Sequence, residues 1–401
     1  NLMATSHTKK PTFSKIIQSL PCLDLVLPFT IVLAMAIGIL VSKYSPSSRD
    51  VFSPSHSGSW VGVSIPLALG MIIMMLPPLC EIEWESLPIY IRKRMFIRHV
   101  LYSVILNWVV CPLLMFGLSW MALFNHDEYR EGVIMIGLAR CIAMVLIWNK
   151  ISGGDQNLCA VLVVINSILQ MALYAPLQVF YCYVITNEPY EQKTVLYAQV
   201  AKSVSVFLGV PLSAGLLIRF TFVWFVGKEV FQKRVMPFIA PWALLGFHYT
   251  IIVIFISKGY SFLQELQSAF LCFIPLTLYF LISWAGCFIL MRFLTSRGEN
   301  REAADDCECD KQALLKANVF EKRTCGADYA ATMTQCFTAA SNNFELSLAI
   351  AVSLYGNGSK QAIAATFGPL LEIPILLCLA LFARYLEHAL VWRTPSSNDE
   401  H

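Results

Sequence analysis

The 401-residue chain is 57% hydrophobic and only 14% charged, with a mean hydropathy of +0.62. A soluble globular domain carries roughly 25% charged residues, so a water-soluble fold is excluded. The formal net charge of +3 is too small to mark a nucleic-acid partner, and none is expected.

Residues 1–20 lack the apolar core of a cleavable signal and are expected to form a cytosolic N-terminal segment. A bilayer core of roughly 30 Å takes about 20 helical residues. Apolar blocks of that order follow at 23–42, 60–80, 100–124, 132–149, 158–186, 203–226, 236–257, 268–294, 328–354 and 363–386. They predict an all-α polytopic membrane protein of ten transmembrane helices in a lipid bilayer. With a cytosolic N-terminus, twenty-one of the 29 Lys and Arg residues fall on the inner side and seven on the outer side, while Arg140 lies inside a span. That asymmetry predicts that both termini are cytosolic.

The most charged segment, 295–327, is then a cytosolic loop. Its Cys307, Cys309 and Cys325 lack the paired spacing of a structural zinc site, so no metal and no cofactor is expected. Cys22, Cys80, Cys111, Cys141, Cys159, Cys182, Cys272, Cys287, Cys336 and Cys378 fall in or beside apolar spans, where cysteine usually acts as a small hydrophobe.

The spans divide into two sets of five, 21–190 and 191–394, followed by a tail, 395–401. Span four ends at Ile151-Ser-Gly-Gly-Asp155 and the next span carries Leu173-Tyr-Ala-Pro-Leu177. Span nine ends at Tyr355-Gly-Asn-Gly-Ser359 and the next carries Leu371-Glu-Ile-Pro-Ile375. Five is an odd number, so two copies must lie in the membrane with opposite orientation, the inverted-repeat plan of many secondary transporters. In such folds the substrate site lies where helices are interrupted. Spans four and nine, short and rich in polar residues, are the expected interrupted pair.

Arg140, Glu345 and Glu372 are ionisable groups inside apolar spans and need partners or water. The plain reading joins Arg140 to one glutamate as a structural ion pair; the functional reading makes them site residues. Asn342 and Asn343 can satisfy backbone groups freed by a helix break. Thr338, Asn342 and Glu345 are spaced i, i+4, i+7 and are expected on one helical face, as are Cys141, Met144, Val145 and Trp148. Asn166 and Gln170 share a face of span five. Cys141 stands apart from the other cysteines by its place at the interruption beside Arg140. A thiolate is a soft ligand, which points to a thiophilic metal or metalloid rather than a sugar or amino acid. A thiol oxidoreductase would need a paired cysteine, and Cys141 has no Cys-x-x-Cys partner. A transporter without catalytic residues is expected, not an enzyme.

Four stretches carry a family resemblance: Val63-Ser-Ile-Pro-Leu67 with Met71-Ile-Ile-Met-Met-Leu-Pro-Pro78, Gly137-Leu-Ala-Arg-Cys-Ile-Ala-Met-Val-Leu-Ile-Trp-Asn149, Asn342-Asn-Phe-Glu-Leu-Ser-Leu-Ala349, and Gln361-Ala-Ile-Ala-Ala-Thr-Phe-Gly-Pro-Leu-Leu-Glu-Ile-Pro374. Over residues 18–392 the chain resembles the arsenite efflux permeases of the bile-acid, arsenite and riboflavin transporter superfamily, particularly their fungal members. The resemblance implies export of arsenite, and of antimonite, across the plasma membrane in exchange for protons. The family's essential cysteine matches Cys141 and its span-nine glutamate matches Glu345. Positions linked to transport match Arg140, Trp148, Asn166, Asn343 and Glu372. The expected substrate set is therefore Cys141, Arg140, Trp148, Asn166, Asn342 and Asn343, with Glu345 and Glu372 coupling protons. The alternative is a sodium-coupled organic-anion symporter of the same fold, in which the asparagines and glutamate would hold sodium.

Overall fold

The computed structural model describes residues 22–52, 57–86, 94–142, 144–185, 190–264, 270–306, 328–356, 359–390 and 392. The expectations for the N-terminal segment, the three loop cysteines and the C-terminal tail lie outside these residues.

The chain is a polytopic all-α membrane protein. Its helical segments are α1 (Cys22–Tyr44), α2 (Ile65–Glu81), α3 (Ile97–Ala122), α4 (Asp127–Leu138), α5 (Met144–Ser152), α6 (Gln156–Val184), α7 (Tyr197–Val226), α8 (Lys228–Ser257), α9 (Phe273–Asp306), α10 (Tyr329–Ala340), α11 (Phe344–Tyr355) and α12 (Lys360–Ala389). Among the described residues, six stretches are long and apolar enough to cross a bilayer unbroken: α3, α6, α7, α8, the Phe273–Phe293 part of α9, and α12.

Two expected boundaries shift. Span two begins at Ile65, not residue 60, because Ser59–Trp60 and Val63–Ser64 pair as a tiny antiparallel hairpin. Its turn, Val61 and Gly62, has φ of 52° and 76°, the double left-handed turn that matches strand twist and breaks a helix. The loop expected at 295–327 starts later, since α9 runs on to Asp306. Its Arg, Glu and Ala residues favour a helix that continues past the apolar segment.

Wide π-turns interrupt α3 at Leu106–Val110, α7 at Ser205–Gly209 and α8 at Phe231–Val235. Each is followed within two residues by a proline, Pro112, Pro211 or Pro237. Proline supplies no N–H and crowds the carbonyl four residues back, so the preceding turn widens.

The helices pack as two groups. α1, α2, α8 and the second half of α7 pack on one another; α4, α5, α6 and α9 to α12, with α3, form the rest. In the first group a β-carbon at Gly246 would lie 2.8 Å from the Met74 nitrogen, so only glycine allows α8 to sit this close to α2. Ion pairs join segments that the Lys/Arg distribution places on the same side of the bilayer: Arg219–Glu85 at 2.6 Å and Lys228–Glu83 at 2.7 Å on one, Lys360–Glu128 at 3.1 Å on the other.

Candidate substrate site

Spans four and nine are each interrupted. α4 stops at Leu138 and α5 starts at Met144; α10 stops at Ala340 and α11 starts at Phe344. α4 and α10 are both twelve residues long, and the second residue beyond each end is Arg140 in one and Asn342 in the other. These two residues form an isolated antiparallel bridge, so the breaks cross. The following residues, Cys141 and Asn343, are therefore counterparts, whereas Glu345 stands two places further along its repeat than Cys141. The Gly-containing turns after α5 and α11 also correspond, with φ of 78° at Gly153 and 87° at Gly356.

Each break satisfies the backbone of the other. The Asn343 N–H donates to the Ala139 carbonyl at 3.0 Å, and Asn342 Nδ2 donates to the Ile136 carbonyl at 2.7 Å. Asn343 also caps α11, its Oδ1 accepting from the Leu346 N–H at 3.0 Å. At the other break the Cys141 sulfur takes that place, accepting from the Val145 N–H at 3.3 Å. Cys141 thus lies before α5 rather than on a face with Met144, Val145 and Trp148. Likewise Thr338, on α10, does not share a face with Asn342 and Glu345, because the helix ends between them.

Arg140 makes no carboxylate ion pair among the described residues. Its guanidinium donates to the Tyr279 hydroxyl at 3.1 Å and to the Gly137 carbonyl, and its backbone N–H donates to Gln170 Oε1. Tyr279 passes the contact on, donating to the Ala339 carbonyl at 3.0 Å. Arg140 is fully buried and clamps α9 to both breaks. The acidic groups that act on the Cys141 thiol are Glu372 and Glu345. Glu372, also buried, faces Ser341, the Asn342 backbone and Glu345.

Asn166 and Gln170 share a buried face of α6 as expected, but they divide the work: Gln170 holds Arg140, and Asn166 Oδ1 accepts from Trp108 Nε1 at 3.0 Å. Trp148 is buried with its indole N–H unpaired. Unpaired buried polar atoms gather at the crossing: Ser341 Oγ, Asn342 Oδ1, Asn343 Nδ2, Glu372 Oε1 and Gln170 Nε2. A buried polar atom without a partner is costly, so such a cluster suits a small polar guest.

A cavity of about 970 Å³ reaches this point from one side. One wall is α2 and α8, with Met74, Met75, Glu81 and Phe247; the other is α5 and α6 with Arg384 of α12. Ile142, Asn343 and Glu345 line it, and Glu345 is half-buried. Cys141 is 3% exposed, one residue below the lining. Of the expected residues, Arg140, Trp148, Asn166, Asn342 and Glu372 lie behind the cavity wall. Tyr279, Ser341 and Trp108 were not expected from the sequence; Tyr279 shares the apolar run Pro275–Ser283 with Thr277 and Ser283, and no local signal singles it out. Cys378 is exposed rather than packed; the other eight described cysteines with placed side chains are buried.

The chain is 34% identical to the arsenical-resistance protein Acr3 of Corynebacterium glutamicum over 93% of its own length and 90% of that protein. The chain belongs to the Acr3 arsenical-resistance family. A second Acr3, from Alkaliphilus metalliredigens, is 24% identical over 88% of this chain and 89% of its own length. An uncharacterized transporter of Synechocystis is 26% identical over 87% and 85%. The family model described as the Sodium Bile acid symporter family matches residues 68–265. As an Acr3-family member the chain is a multi-pass membrane transporter, and residues 68–265 take in the Arg140–Cys141 break but not the Asn342–Asn343 one.

Proposed function

We propose that the protein exports arsenite, and also antimonite, from the cytosol in exchange for protons. Four features support this reading: membership of a family named for arsenical resistance, a thiol at a helix break, two carboxylates facing that thiol, and a cavity ending beside all three. The carrying observation is the meeting of Cys141 with Glu345 and Glu372 at the crossed breaks.

Arsenite at neutral pH is an uncharged trihydroxide. It needs hydrogen-bond partners and a soft contact rather than a countercharge. The unpaired groups of Asn342, Asn343 and Ser341 supply the first, and Cys141 the second. The thiol sulfur bonds to arsenic as one hydroxide leaves, and the thiol proton departs with that hydroxide as water. A single sulfur forms no chelate, so the step reverses readily. Glu345, at the cavity lining, holds a proton when the substrate is absent and releases it as the substrate is taken up; Glu372 is its neighbour and second carrier.

In this reading spans four and nine each comprise two half-helices, giving ten spans in two inverted repeats of five, with both termini in the cytosol of a plasma-membrane protein. The cavity mouth, near Lys150 and Arg384, faces the cytosol. Alternating access comes from movement of one helix group against the other across the cavity. Because the family model is described by sodium symport, the test carries a sodium arm. Inside-out vesicles are given arsenite under an imposed pH gradient, with and without sodium. Accumulation should follow the pH gradient and ignore sodium; dependence on sodium alone would overturn proton exchange in favour of an organic-anion-type symport.

A further inference from the structure

The cavity stops at Asn343 and Glu345, on the α5 side of the breaks. On the opposite side, between α4, α6, the first part of α7 and α11, a second set of buried polar groups runs away from the site. The Ser347 hydroxyl hydrogen-bonds the Asn343 carbonyl at 3.0 Å and meets the Tyr174 hydroxyl at the Met135 carbonyl, each at 3.2 Å. Tyr174 and Ser347 are fully buried. Next comes Gln178, also fully buried, beside the Tyr183 hydroxyl, with neither amide atom paired. Tyr183 hydrogen-bonds Tyr355 at the far end of α11, and Glu131 is the carboxylate that acts on it. Glu131 Oε2 accepts from Gln361 Nε2 at 2.9 Å.

We infer that this file is the outer proton route, with Glu131 as its port. It rests on the proton-exchange reading given above. The groups facing Glu131 are Arg130, Asp127 and Glu128 on its own helix, Gln361 on α12, and Cys182 and Tyr183 on α6; Lys360 is tied to Glu128. A carboxylate placed so takes up a proton from the outer solution. Hydroxyl and amide groups, with water beside the unpaired Gln178 amide, carry it past Tyr183 and Tyr174 to Ser347 and the carboxylates at the breaks. At each step one covalent O–H bond breaks as another forms along the hydrogen bond, no group changes oxidation state, and one proton leaves Glu131 for each that arrives inside. An apolar lining would serve packing as well; a fully buried glutamine whose amide meets only the Tyr183 hydroxyl keeps hydrogen-bond positions open for water.

The test uses the full chain in proteoliposomes, with arsenite as the probe in two assays: accumulation driven by a pH gradient, and arsenite-for-arsenite exchange at equal pH. Glu131→Gln should lose gradient-driven accumulation on the order of 100-fold, the low end for a lost proton-transfer group, while exchange stays within about twofold. Glu131→Asp should recover part of the driven flux, and Tyr174→Phe should lower it without changing exchange. Undiminished driven flux in Glu131→Gln overturns the inference while proton exchange itself stands. Equal loss of both activities also overturns it, since Glu131 would then be a structural tether to Gln361. A parent protein that exchanges arsenite yet ignores the gradient overturns proton exchange, and the inference with it.

Discussion

The two helix breaks do the same backbone task with different chemistry. At the second, Asn343 caps α11 through a strong amide acceptor and Asn342 reaches across to the carbonyls of Ile136 and Ala139. At the first, the cap on α5 is a sulfur, a weak acceptor, and the bridging residue is an arginine turned away to Tyr279. A serine or asparagine would hold the first break better. Under the proposed function the weaker cap stands where a soft ligand is wanted, so that break trades local stability for chemistry, while its counterpart combines firmer backbone ties with hydrogen-bond partners.

The sharpest way to break this comparison is Cys141→Ser. It removes the soft ligand and installs a better cap. Apparent arsenite affinity should fall on the order of 100-fold, the upper range for disturbing a ligand set, while thermal stability in detergent stays level or rises. Undiminished transport would show that hydrogen bonds alone recognise the substrate. Arg140→Lys comes next. An ammonium cannot span Tyr279 and the Gly137 carbonyl at once, and the variant should lose about 1–3 kcal/mol of stability, read as a lower melting temperature with transport reduced in proportion to folded protein. Asn343→Ala removes the better cap and should cost about 1 kcal/mol, more than Cys141→Ala by the same measurement; equal costs would erase the proposed asymmetry.

The smallest effect lies away from the breaks, at Glu85 between α2 and α3. Burial works against its charge, but the hydrogen bonds and charge of Arg219 outweigh it and hold the carboxyl below the usual carboxylate range. A group with a depressed folded pKa stabilises above its unfolded pKa, about 4.3 for Glu, and loses that contribution as pH falls through the folded value. The parent should therefore lose stability on acidification below about pH 5 slightly more steeply than Glu85→Gln.

The apolar helices were legible in the sequence because apolar length is a strong signal: each of the ten blocks overlaps described helix, and six stretches are long enough to cross a bilayer unbroken. The interruptions at spans four and nine were legible too, from short spans with polar residues and glycine turns. Face assignments failed there for a physical reason, since helical spacing carries no meaning across a break and Cys141 and Thr338 each sit on the other side of one from their supposed neighbours. Of the two readings of Arg140, the ion pair with a glutamate is not found among the described residues, and sequence adjacency says nothing of where a long side chain reaches. Its true partner, Tyr279, is far along the chain in an apolar run, and only the packing of α9 against the breaks reveals it.

The hydrogen bonds between the two breaks have a thermodynamic consequence. Asn343 N–H to Ala139 and Asn342 to Ile136 tie one break to the other, and Arg140 to Gln170 ties the first break to α6. The site is preorganised: a substrate finds the loop ends already fixed and has little conformational entropy left to remove. Binding of so small a solute can then be weak in enthalpy and still measurable, and calorimetric titration should report a small heat-capacity change. Because neither break can shift without losing its bonds to the other, any movement of one in the proposed transport cycle carries the other with it.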